Sequence, residues 1–258
     1  MEFRLLAVGD VVAPSGLSYL QAHLRSLKKL YQVDFCVVNG ENASLTGLTP
    51  SQADQLFDAG ADVVTLGNHT WNRREIVPYL DESPYLLRPA NFAPQLPGRG
   101  WGTFETKAGF LTVVNLIGRC NMDFGPDNPF LMADAILKQA GTRLNFLDFH
   151  AEATSEKLAM GYYLDGRASA VWGTHTHVPT CDCQVLPKGT GYVTDLGMTG
   201  PAHSVIGIKP EQSMALFRGD LTSRFEAAPG PCKLGSVLFT IDTASALCQS
   251  VERIDLYD

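Results

Sequence analysis

The sequence predicts an α/β fold built around a largely parallel sheet, and three observations carry that expectation. Apolar runs short enough for buried strands alternate with helical patterns through the first third of the chain. Each of these runs stops at a polar cluster, as strands do when they end at a ligand-binding sheet edge. The chain is 258 residues long, 45% hydrophobic and 18% charged. At that size folding buries roughly 70–75% of the unfolded surface, so a large core forms without disulfide staples. We therefore expect a single domain, 1–258.

Residues 5–8 read as a buried strand ending at Gly9-Asp10, and 18–30 as a helix with Leu20, Leu24, Leu27 and Leu30 on one face. A second strand, 35–38, ends at Asn39-Gly40-Glu41-Asn42. A helix follows over 51–59, with a polar start and Gly60 just past its end. A third strand, 63–66, ends at Gly67-Asn68-His69. This βαβαβ order calls for parallel strands joined by right-handed crossovers.

Pro84, Pro89, Pro94 and Pro97 then mark a loop-rich middle. Beyond it we expect a strand at 110–117, an irregular loop over 118–128 and a helix over 131–140. A strand at 144–149 ends on His150, a helix covers 155–164, and a strand at 170–172 ends at Gly173-Thr174-His175-Thr176-His177. The last third adds a strand at 192–194, a helix near 211–217 and strands near 237–241 and 249–254.

The net charge of −7 argues against an extended nucleic-acid footprint or an anionic membrane surface, both of which need clustered Lys and Arg. It leaves room for a small anionic substrate, because a bound metal inverts the local field. No apolar run reaches the roughly 18 residues of a membrane span. The start, with Glu2 and only a short apolar run, lacks the pattern of a secretory signal, so a cytoplasmic location is expected. Six cysteines are too sparse for a secreted disulfide scaffold. Cys36 reads as a core residue, and the Cys181-x-Cys183 spacing is a weak zinc signal.

Five polar clusters follow strands directly: Asp10; Glu41 with Asn42; Asn68 with His69; His150; and His175 with His177. Four of the six histidines fall in them, leaving His23 and His203 outside. Imidazole with carboxylate and amide oxygen suits iron, manganese or zinc, and one carboxylate can bridge two ions about 3.5–4 Å apart. In an extended segment His175 and His177 would share a face with Cβ atoms about 7 Å apart, one facing each ion. Taken singly, Asp10 also reads as a helix N-cap, Asn42 and Asn68 as turn residues, and His150 as a core histidine. Glu41 beside Gly40 and the His175/His177 pair resist such readings, and the five clusters together point to a metal site. No G-x-x-x-x-G-K-[ST] loop and no G-x-S-x-G elbow is present. His150-Ala151-Glu152 mimics the H-x-E of zinc deaminases, but 179–183 lacks their P-C-x-x-C.

With these residues in place the chain resembles the calcineurin-like metallophosphoesterases. More closely, it resembles their bacterial YmdB-like branch, whose members are linked to 2′,3′-cyclic nucleotide phosphodiesterase activity. Gly9-Asp10-Val11-Val12, Asn39-Gly40-Glu41-Asn42-Ala43, Gly67-Asn68-His69-Thr70-Trp71, the string 148–157, Gly173-Thr174-His175-Thr176-His177 and the string 195–201 carry the likeness across nearly the whole chain. The missing His after Asp10 and the Glu at 41, where the wider family has Asp, are shared with that branch. Ala13, where Gly is more usual, and Pro179, where Gln is common, depart from it.

The resemblance implies a two-sheet β-sandwich flanked by helices, in four layers αββα. It implies two metal ions per chain, iron or manganese with zinc as the alternative. Asp10, Glu41, Asn42 and His177 would hold one ion, with Glu41 bridging to a second completed by Asn68, His150 and His175. His69 would stay free as a proton donor. The expected reaction is hydrolysis of a small phosphodiester, such as a 2′,3′-cyclic nucleotide, by water activated between the ions, with His69 protonating the leaving oxygen. The 118–129 loop, with Arg119 and Asn128, either lines the substrate cleft or is a plain surface connection. The alternative function is a metal-containing regulatory or binding protein acting through partners, with incidental hydrolysis. Oligomeric state is left open.

Overall fold

A computed structural model describes residues 1–123, 125–221 and 224–258. Two mixed sheets lie face to face. The first follows the order β2 (Asp10–Val11), β12 (Met198–Pro201), β13 (Cys232–Asp242), β1 (Glu2–Val8), β3 (Phe35–Asn39), β4 (Val63–Thr65), β5 (Leu86–Leu87), with β14 (Leu247–Tyr257) also paired to β13. The second runs β10 (Gln184–Val185), β11 (Gly191–Val193), β9 (Ala170–Thr174), β8 (Leu144–His150), β7 (Gly109–Ile117), β6 (Trp101–Thr106). Strands β1, β3, β4 and β5 are mutually parallel, as are β7, β8, β9 and β11. The expected single parallel arrangement is therefore two parallel cores, each edged by antiparallel strands, as the two-sheet resemblance implies.

Period-two alternation builds the layers. Phe3, Leu5 and Ala7 of β1 face inward with Phe35, Val37 and Phe239, meeting Leu111, Val113, Phe146 and Trp172 of the second sheet. Leu6 and Val8 point outward to Leu17, Leu20, Leu24 and Leu27 of α1 (Ala13–Leu30) and Leu56 of α2 (Pro50–Ala59). On the far side Val114, Leu147, Phe149 and Val171 pack on α4 (Pro129–Ala140) and α5 (Thr154–Tyr163) through Ile136 and Met160. No described helix is long and apolar enough to cross a membrane.

Helix boundaries follow local chemistry. Helix α1 starts five residues before the expected position, because Pro14 suits a first turn and the apolar face continues back through Leu17. Ala13 enters it with φ 65°, in the left-handed region. Helix α2 carries a reciprocal box in which Thr49 and Gln52 each accept from the other's backbone N–H. Asn128 caps α4, accepting from Phe130 N at 2.9 Å. Helix α3 (Ile76–Glu82) was not expected: it holds Pro78, lacks a side-chain cap and is short. Strands β5 and β6 also escaped the pattern, β5 for its length and β6 because an edge strand with little burial shows no clean alternation. The final pair is longer than expected and forms a hairpin, with a register shift at Thr240/Ile241. Of the expected 118–128 loop, Phe124 lies outside the described residues.

Between β11 and β12 the chain crosses from one sheet to the other through 194–197. Two glycines admit it. A Cβ on Gly173 would lie 1.9 Å from Thr194 O, and one on Gly9 2.0 Å from Gly197 O. Backbone opposes both, so neither contact can relax by a rotamer change. Gly173→Ala is expected to destabilise the protein by about 1–3 kcal/mol or more. Urea unfolding should show a lower midpoint at unchanged slope, and an unchanged midpoint would refute the close-packing argument.

Candidate metal centre

The parallel strands of both sheets end at one cleft of about 360 Å³. Asp10 follows β1, Glu41 and Asn42 follow β3, and Asn68 and His69 follow β4. His150 is the last residue of β8, and His175 and His177 follow β9. All eight residues singled out from the sequence are thus gathered here, three clusters from one sheet and two from the other. Neither Arg119 nor Asn128 is in the cleft wall. Arg119 is tied through its backbone to Glu156, and Asn128 is occupied in capping. Cys181 is exposed and Cys183 half-buried, both away from the cleft wall.

The tighter group centres on His150, which is fully buried. Its Nε2 lies 2.9 Å from Asn68 Oδ1, 3.1 Å from Glu41 Oε1 and 3.1 Å from His175 Nδ1. On the other edge of the ring, Nδ1 is 2.9 Å from Thr174 Oγ1. That hydroxyl donates to Asp148 Oδ1 at 2.7 Å, so it accepts from His150 and fixes the proton on Nδ1. Nε2 then turns a lone pair toward three other acceptor atoms. Ligands held about 2.1 Å from one ion stand about 3.0–3.4 Å apart, which is the spacing seen. Gly67 makes the room: a Cβ there would lie 2.3 Å from His150 Nε2 and 2.4 Å from Glu41 Oε2. The donor set fits a metal ion on chemistry and on shape.

The second group is looser and shares Glu41. Asn42 Nδ2 lies 3.1 Å from Glu41 Oε1 and 3.1 Å from His177 Nε2. Asp10 Oδ1 is buried without a hydrogen bond among the described residues, 3.7 Å from His177 Nε2 and 3.9 Å from His150 Nδ1. Rotating the Asn42 amide by half a turn would present its oxygen instead, leaving three oxygen atoms and one imidazole nitrogen facing one another. The orphaned Asp10 oxygen then suits a cation partner.

Three groups not anticipated from the sequence set the imidazole orientations. Thr174 with Asp148 holds His150. Glu152 Oε2, 3.2 Å from His175 Nε2, frees that ring's Nδ1. The Ile206 carbonyl, 2.9 Å from His177 Nδ1, frees its Nε2. Asp148 stands two residues before His150 on one strand, a same-face signal that was available in the sequence. Thr65 and Asn39 also donate to Asp148. His69 is placed by its backbone N–H, which donates to Glu41 Oε2 at 3.0 Å. Its ring lies beside Asn72 and Asn68 and is outside both groups.

The electrostatics agree. Burial opposes ionisation of Glu41, but the facing His150 outweighs it and holds the carboxyl down at about 2. Burial likewise opposes charge on His150, yet Glu41 and Asp10 push it up to about 9. The pair calls for positive charge between them, which a proton or a metal ion supplies. His175 is pushed down to about 3 by burial and by His150, so it stays a neutral donor. Burial raises Asp10, and raises Asp148 to about 6.

The extended geometry expected for 175–177 does not hold. His175 has φ 101° and His177 φ 63°, so both sit in left-handed backbone just past β9. Such conformations cost on the order of 1–3 kcal/mol each and persist where surrounding structure over-determines them. Here His175 N donates to Asp10 Oδ2 at 3.2 Å, and Thr176 donates through Oγ1 to Asp195 at 2.7 Å. Asp195 in turn pairs with Lys157 at 2.6 Å, both side chains being 1% exposed.

Known proteins share this architecture and sequence. The chain is 45% identical over 260 residues to the 2′,3′-cyclic-nucleotide 2′-phosphodiesterase of Bacillus subtilis (strain 168), covering 99% of this chain and 97% of that protein. A crystal structure described as a novel phosphatase from Mycoplasma pneumoniae superposes with a TM-score of 0.95 at 33% identity, covering 100% of this chain and 94% of the other. A hypothetical protein from Thermus thermophilus superposes with a TM-score of 0.93 at 40% identity, covering 99% of this chain and 100% of the other. The family described as YmdB-like protein matches residues 6–254, and the chain belongs to that family.

Proposed function

We propose that this protein is a binuclear-metal-dependent phosphodiesterase hydrolysing small phosphodiesters, with 2′,3′-cyclic nucleotides as the substrate class. One observation carries the reading: two groups of oxygen and nitrogen donors share the buried carboxylate of Glu41 at the floor of an open cleft. Asp10, Glu41, Asn42 and His177 would hold one ion, and Glu41, Asn68, His150 and His175 the other. Nitrogen and oxygen donors without thiolate favour iron or manganese, with zinc as the alternative. Ions held there would supply Lewis-acid chemistry, neutralising charge on the phosphoryl group and activating water for attack. The six cysteines are all free, which suits the cytoplasm.

The chain's own residues divide the remaining work. Asp148 through Thr174, Glu152, and the Ile206 carbonyl hold three imidazoles in the tautomers that ligation needs. Among the described residues no Lys or Arg lines the cleft, and Glu152 does. A diester monoanion is therefore accommodated better than a monoester dianion, which supports diesterase over phosphatase chemistry. The apolar wall of Val12, Leu45, Ile206 and Ile208 limits water beside the reacting phosphate. His69, at the rim and not itself a member of either group, donates the proton to the departing oxygen.

Elemental analysis of protein never exposed to chelator should give close to two metal equivalents per chain. Gly67→Ala should reduce this to one or fewer in protein shown by circular dichroism to be folded, because the added methyl occupies the space between Glu41 and His150. Two equivalents retained in that variant would overturn the assigned position. His69→Ala should keep both metals and lose roughly 10²–10⁴ in turnover of a diester with a poor leaving group. The loss should shrink for a nitrophenyl diester, whose leaving group departs without a proton. Equal losses on both substrates would show His69 positioning phosphate instead.

A further inference from the structure

A second cavity, of about 310 Å³, lies between two segments that both leave the metal cleft. One wall is Trp71, two residues beyond His69, so their Cα atoms are within about 7.6 Å of each other. The other wall is 125–127, the far end of the loop that starts at Gly118, whose N–H donates to the His150 carbonyl at 3.0 Å. Asn91 ties the ends of that loop together: its Nδ2 donates to Ile117 O at 2.7 Å and Asp127 O at 2.9 Å, and its Oδ1 accepts from Ile117 N at 2.9 Å. Trp71 is backed by the buried ring of Phe92, with centroids 6.2 Å apart and planes inclined at 49°. Asp127 and Trp71 are thus both held by the 91–92 segment.

The lining is chemically specific. Among the described residues Trp71, Phe92, Pro94, Leu96 and Pro126 give it an apolar lining. Asp127 stands at its edge, exposed, and its carboxylate has no hydrogen-bond partner among the described residues. An aromatic slab beside a carboxylate that only accepts suits a planar heterocycle whose edge carries adjacent N–H donors. Among the common nucleobases guanine alone presents two such donors side by side, N1–H and the exocyclic amine. Adenine and cytosine put a ring acceptor beside their amine, and uracil flanks its N–H with carbonyls.

We propose that this cavity is a base subsite in which Trp71 stacks on, and Asp127 reads, the guanine of a cyclic nucleotide whose phosphate sits at the metal centre. The assignment rests on the phosphodiesterase reading above and adds to it a base preference and two specificity residues.

The test compares kcat/KM of metal-loaded protein on guanosine, adenosine and uridine 2′,3′-cyclic phosphates and on the base-free ribose 2,3-cyclic phosphate. The wild-type protein should favour guanosine over adenosine at least tenfold. Asp127→Asn, at an exposed position, should erase that preference. Trp71→Leu should lower kcat/KM on base-bearing substrates by roughly 5- to 150-fold more than on the base-free ester, the equivalent of one stacked base. Trp71→Phe should recover most of it. Equal guanosine and adenosine turnover, a preference surviving in Asp127→Asn, or equal Trp71→Leu losses with and without a base would each overturn the subsite. If Trp71→Leu melts early, the Asp127→Asn result decides alone. Failure of every cyclic phosphate, the base-free ester included, would instead overturn the phosphodiesterase reading. Turnover of the base-free ester with no base discrimination would leave that reading standing and remove only the subsite.

Discussion

The buried ion pair of Lys157 and Asp195 is the constraint on which the geometry of the cleft depends. Asp195 lies on the crossing segment between the sheets, and its carboxylate receives Lys157, the Thr176 hydroxyl and, through its other oxygen, Gly197 N. Arg253 holds the same segment from outside, donating to the carbonyls of Leu196 and Asp195. One residue thus connects helix α5, the crossing and the His175–His177 turn. A buried pair of this kind is a poor source of net stability, since desolvating both charges cancels much of their attraction. Its value here is positional: it clamps a turn whose two histidines occupy backbone they would otherwise leave.

The same logic operates one layer further out. Each of the three imidazoles in the two donor groups has its far nitrogen held by a different kind of partner: a hydroxyl relayed to a buried acid, an exposed carboxylate, and a main-chain carbonyl. Because the partners differ, the rings are not interchangeable. His150 sits deepest and is the most strongly biased toward positive charge, while His175 is held neutral. Glu41 lies where these opposing biases meet, which is why a single carboxylate serves both groups.

Much of this was legible in the sequence, for identifiable reasons. Residues that end a buried parallel strand can be located from apolar runs alone, and Asp10, Glu41, Asn68, His150 and His175 were found that way. The division of those strands between two sheets was not, since β1, β3 and β4 have the same buried-run pattern as β7, β8 and β9, and only the long β13–β14 hairpin and the crossing reveal the partition. Strand β6 was lost because only Phe104 of its six residues is buried, which leaves no period to read. The partners Thr174, Glu152 and the Ile206 carbonyl carry no sequence signal of their own; their roles exist only once β9 and the 200–208 segment stand beside the cleft. The extended reading of His175 and His177 failed because spacing says nothing about φ.

Ala13 shows how a left-handed position beside such a centre accommodates a side chain. Its left-handed backbone costs roughly 1–2 kcal/mol relative to glycine. Against this, its buried methyl contributes about 0.8 kcal/mol and its narrower unfolded ensemble about 0.4–1 kcal/mol. The terms cancel to within their spread, so alanine and glycine are close to isoenergetic there. Ala13 packs with Val12 and Met198, and its N–H donates to the Asn42 carbonyl at 2.9 Å, a bond that either residue makes equally well. Alanine in place of glycine at 13 thus changes stability little and has no leverage on the neighbouring donors.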